Sequence, residues 1–170
     1  GDPAPDGFVI WTRLAPRPLE IGHGMPSAPV PVKWEVSTDR GFSNVAQRGE
    51  AIARPELGHA VHVEITGLEP GRDYFYRFTA GSERTPSGRA KTAPAAGAAV
   101  ARARFGVLGC QAYEQGFYTA HRKAAGEDLD WVRPRSGRAH LMGLLARLDA
   151  VGRDTGPGDL AAAIHTAHRT

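Results

Sequence analysis

Three stretches in the first half of the chain alternate apolar and polar residues with a period of two. Val32, Trp34 and Val36 interleave with Lys33, Glu35 and Ser37. Val61, Val63 and Ile65 interleave with His62, Glu64 and Thr66, and Tyr74, Tyr76 and Phe78 fall on one side of a third run. That period matches the pleat of a strand with one buried face and is incompatible with a helical stripe. Between the runs stand turn formers, Asp39-Arg40-Gly41, Arg54-Pro55-Glu56-Leu57-Gly58 and Pro70-Gly71. Phe8 to Leu14 adds a strand of β-branched and aromatic residues, and residues 44–53 and 83–92 add two more. Residues 15–29, rich in Pro and Gly, are expected to form a surface loop. Strand signals recurring about every ten residues predict a β-sandwich of roughly seven strands.

The turn at Pro70-Gly71 carries a finer signal. Tyr74 follows it directly, and Leu68 lies six positions before Tyr74. This resembles the tyrosine corner of immunoglobulin-like and fibronectin type III sandwiches, where the phenolic hydroxyl bonds back to the backbone. Three histidines of this half, His23, His59 and His62, are read as solvated residues without a site.

Residues 93–100, mostly Ala with Pro and Gly, have the composition of a linker. Beyond them Phe105 to Leu108 reads as a short buried strand that ends at Gly109 and Cys110, the single cysteine of the chain. Phe117 to Lys123 has helical spacing, and Asp128 to Val132 reads as the start of another strand. Loops at strand C-termini are where α/β proteins place chemistry, because the sheet holds them while solvent reaches them. By composition alone a lone cysteine is a small buried hydrophobe; its position at such a strand end raises the alternative of a metal ligand or reactive thiol.

From Arg133 the composition changes. Residues 133–170 contain no Phe, Tyr, Trp or Lys. Leu141, Leu144, Leu145 and Leu148 trace one face of a helix, and Asp159 is placed to cap a second. His165 and His168, three apart, are read as solvated. A net charge of +3 with scattered basic residues gives no footprint for nucleic acid. No apolar run approaches the length of a membrane span, and no basic segment followed by an apolar one opens the chain.

Four stretches in order resemble the PhoD-like phosphatases, the alkaline phosphatase D family: GDPAPDGFVIWTRLAP at 1–16, VPVKWEVSTDRGF at 30–42, HAVHVEITGLEPGRDYFYRF at 59–78 and RFGVLGCQAYEQGFYTAHRKAAGEDLDWV at 104–132. Purple acid phosphatases share a Leu-x-Pro-Gly-x-x-Tyr-x-Tyr-Arg run, but their first catalytic strand leads to Asp. Here it leads to Cys110-Gln111. The resemblance implies a secreted or cell-envelope hydrolase of phosphate mono- or diesters, active at alkaline pH, with iron and calcium in its site. It also implies that Cys110 is the family's first metal ligand. Gly109 stands where the family has Ser.

The resemblance stops after Val132. The family continues into a His-Leu-Gly-Asp-Tyr-x-Tyr-Glu segment that carries further ligands; here Arg133-Pro134-Arg135 follows. No ligand role transfers to Tyr113, Asp128, Asp159, His165 or His168, because none occupies a matching position. A shifted reading frame or a remodelled end each accounts for the tail. The expected organisation is mainly β: a fibronectin III/Ig-like sandwich over 1–92, a linker over 93–100, an incomplete α/β segment over 101–132 and a short helical tail over 133–170. The expected function is that of a truncated alkaline phosphatase D-like protein, inactive alone, holding iron and calcium at most weakly and serving as an accessory domain. The alternative is a non-catalytic extracellular β-sandwich that binds a partner. A further expectation is that Phe105, Val107 and Leu108 lack strand neighbours and form an unpaired apolar edge, with the helix Leu141 to Leu148 as a cover.

Overall fold

The structure, a computed structural model, describes residues 1–108 and 119–134. It divides into two compact units, the first ending at Ala93 and the second beginning at Pro94.

The first unit is built from seven strands: β1 (Phe8–Arg13), β2 (Val30–Ser37), β3 (Val45–Ala53), β4 (Ala60–Ile65), β5 (Asp73–Ala80), β6 (Glu83–Arg84) and β7 (Gly88–Lys91). β1 and β4 form one antiparallel sheet, with Phe8 opposite Ile65 and Arg13 opposite Ala60. The other sheet runs β3-β2-β5, and β5 then pairs with both β6 and β7. The period-two pattern decides which faces meet. Phe8, Ile10, Val61 and Ile65 from one sheet are buried with Val32, Val36, Ala53, Tyr74, Tyr76 and Phe78 from the other. Each large side chain so buried contributes roughly 1.5–3 kcal/mol relative to exposure. The mainly β sandwich expected from the sequence is therefore present.

The last strand differs from expectation. Residues 83–92 form two short strands, because Thr85 interrupts them. Its Oγ1 accepts from the Phe78 N–H at 3.0 Å while its own N–H donates to the Phe78 carbonyl. Pro86 follows and has no N–H for a ladder. The loop 15–29 contains a 3₁₀ turn at Ile21–Gly24, and a second covers Pro55–Leu57.

Two cross-strand pairs set an aromatic ring over a glycine. Trp34 faces Gly49 between β2 and β3, and Tyr76 faces Gly88 between β5 and β7. A Cβ at Gly49 would come to 2.5 Å from Trp34 Cζ2, and one at Gly88 would meet the Tyr76 ring directly.

The exit from this unit is tied down. Thr92 is fully buried; its hydroxyl donates to the Glu69 carbonyl at 2.7 Å and accepts from the Arg72 N–H at 3.0 Å. Ala93 then accepts from Gly71 N–H and donates to the Ala4 carbonyl, both at 2.9 Å. Linker composition thus begins at a residue still bonded to the sandwich.

The second unit contains β8 (Phe105–Leu108), α1 (Thr119–Ala125) and β9 (Trp131–Pro134). β8 and β9 pair in parallel, Phe105 opposite Trp131 and Leu108 opposite Pro134. The expectation that β8 lacks a strand neighbour is corrected: the chain returns after α1 and supplies one. Ala124 and Leu129 are buried with Phe105, Trp131 and Val132 packed against them. The Phe105 and Trp131 rings stack at 5.1 Å between centroids. Gly126 ends the helix, its N–H bonded to the Lys123 carbonyl. The second strand starts at Trp131 rather than Asp128, because residues 128–130 turn the chain and the Asp130 carboxylate accepts from the Arg104 N–H at 2.8 Å. It runs on through Arg133 and Pro134, past the point where the composition changes. Phe117, the residues Leu141 to Leu148 for which a helix is expected, and the rest of the tail lie outside the described residues.

Candidate functional site

The sequence singles out the end of the first strand of the second unit. A strand-helix-strand return makes β8 and β9 parallel, so their C-terminal ends, Leu108 and Pro134, lie side by side. Both strands therefore end on the same side of the pair. This is the arrangement by which parallel sheets gather functional groups from different strands. Cys110, two positions beyond Leu108, and Gln111 lie outside the described residues.

Among the described residues, the carboxylates Glu127, Asp128 and Asp130 lie at the other end. Asp130 bonds the Arg104 backbone beside the start of β8. Asp128 lies 3.5 Å from Arg102 and 3.7 Å from Arg104, and Glu127 lies 3.5 Å from Arg104. These pairs fix the turn into β9. At about 3.3 Å per residue, the four residues of β8 separate this cluster from Leu108 by about 10 Å. Tyr113, Asp159, His165 and His168 lie outside the described residues.

Among the described residues, no three His, Cys, Asp or Glu side chains come together to hold a metal ion. The described part of the chain therefore does not present a donor set for iron or calcium. Also among the described residues, no helix is long and apolar enough to cross a membrane.

In the sandwich, His62 is exposed on the outer face of β4, where its ring lies 6.1 Å from that of Trp11. His23 is half-buried and its Nδ1 lies 3.0 Å from the Pro18 carbonyl. His59 departs from the solvated reading. It is only 6% exposed, its φ is +55°, and its Nε2 reaches the Ala28 carbonyl at 3.2 Å. The sequence signal was available in its position directly after Gly58: the chain bends there through two successive left-handed residues, which turns the imidazole inward. Tyr74 does what the sequence suggested. Its hydroxyl accepts from the Glu69 N–H at 2.9 Å, closing the Pro70-Gly71 turn onto β5. Burial pushes the phenol of the neighbouring core residue Tyr76 above its ordinary pKa.

Comparison with known proteins matches residues 1–94 to the PhoD-like phosphatase N-terminal domain. Alkaline phosphatase D of Bacillus subtilis (strain 168) is 52% identical over 132 residues, an alignment that takes in 78% of this chain and 22% of that protein. The chain thus spans about a fifth of the length of this relative. A solved structure of PhoD superposes with a TM-score of 0.76 at 51% identity, covering 79% of this chain and 26% of that one. The sandwich, the ordered motifs and these likenesses together place the chain in the PhoD-like phosphatase family.

Proposed function

We propose that residues 1–93 form the N-terminal β-sandwich of a phosphate ester hydrolase, and that residues 101–134 begin its metal-binding domain, with Cys110 as a ligand. The observation that supports this reading is the parallel β8–β9 pair, which sets Leu108, two positions before Cys110, beside Pro134 at one end of the two strands. A thiolate is a soft donor suited to a transition metal such as iron, whereas calcium prefers oxygen. Cys110 is accordingly assigned to iron. Within these residues the sandwich acts as an accessory domain, and the polypeptide by itself does not turn over substrate. Placement outside the cytoplasm, in the secreted or envelope fraction, rests on the family resemblance.

The test joins residues 1–132 to the remaining portion of the Bacillus subtilis relative. The chimera is expected to hydrolyse p-nitrophenyl phosphate at alkaline pH with iron and calcium. Cys110→Ala in it is expected to lose bound iron and at least about a hundredfold of the activity. Full iron content and activity in that variant would remove Cys110 from the site. The 170-residue chain alone is expected to be silent in the same assay, and turnover that vanishes in Cys110→Ala would overturn the accessory reading.

Exposed side chains on the sandwich favour a second reading, a binding module. Leu19 is 85% exposed, Ile21 is fully exposed, and Trp11 stands 42% exposed on the outer face of β1. Titrating residues 1–93 with polysaccharide or protein candidates while following tryptophan fluorescence tests it. An unchanged spectrum leaves the sandwich with its packing role.

A further inference from the structure

We draw no further inference here: the strongest candidate, the outer edge of β1 at Trp11 and Arg13 beyond the point where Gly1 pairs with Val9, is a strand edge without a neighbour among the described residues, and nothing in the structure shows what covers it.

Discussion

Tyr74 shows how one side chain can define a turn. Its ring is buried beside Phe8, with centroids 6.0 Å apart, while its hydroxyl reaches out to the Glu69 N–H. Tyr74→Phe keeps the packing and removes the acceptor. Urea unfolding is expected to register a loss of about 1 kcal/mol with an unchanged m-value, the usual net worth of such a bond. Tyr76 gives a pH signature of the opposite kind. Burial raises its pKa in the folded state, so the folded protein holds the proton more tightly than the unfolded chain. The stability from this group is complete below about pH 10 and is lost as pH rises through the folded value, by at most about 1.4 kcal/mol per unit. Denaturation midpoints measured across alkaline pH are expected to fall less steeply in Tyr76→Phe than in wild type. An identical slope in the two proteins would contradict the assignment.

At the scale of strands, the aromatic-over-glycine pairs explain why β3 and β7 tolerate glycine, which ordinarily weakens a strand. Trp34 lies over Gly49 and Tyr76 over Gly88, so the ring covers backbone that a side chain would otherwise hide. Gly49→Ala and Gly88→Ala are each expected to destabilise by about 1–3 kcal/mol through overpacking, read from thermal or urea midpoints. Gly88→Ala is expected to cost more, because Tyr76 is buried and Trp34 is only half-buried. The strands themselves were legible because Val32, Val36, Val61, Ile65, Tyr74 and Phe78 sit in a strict period of two with one buried face. The split at Thr85 was not, because a side-chain hydroxyl that replaces a ladder bond leaves no mark on hydropathy. The burial of His59 is legible only in part: Gly58 signals a turn, and the left-handed backbone at His59 itself sets which way the ring faces.

For the whole molecule, the sequence separated a β half from an α/β half, and the structure divides at Ala93 and Pro94. Limited proteolysis with a broad-specificity protease is expected to cut first within residues 95–101, where Ala96, Gly97 and Ala99 are exposed, and to release a resistant sandwich. Early cuts inside β2 or β5 would contradict a self-standing unit. The candidate site was legible only as a place. Phe105 to Gly109 announces a strand end, and the return through α1 to β9 gives that end a parallel neighbour. Ligand geometry depends on side chains converging from several strands, which the spacing of residues in one chain does not encode.

The bonds around Ala93 also bear on mechanical load. Ala4, ahead of β1, and Ala93, after β7, are joined directly by a hydrogen bond, and Gly71 holds Ala93 from the other side. A pull applied between residues 4 and 93 loads this contact first. Tension passes through the Ala4–Ala93 contact and is not carried across the sheets, so the contact yields before any strand is sheared. The two ends of the domain, held side by side, let it be inserted into another chain with little disturbance to the host.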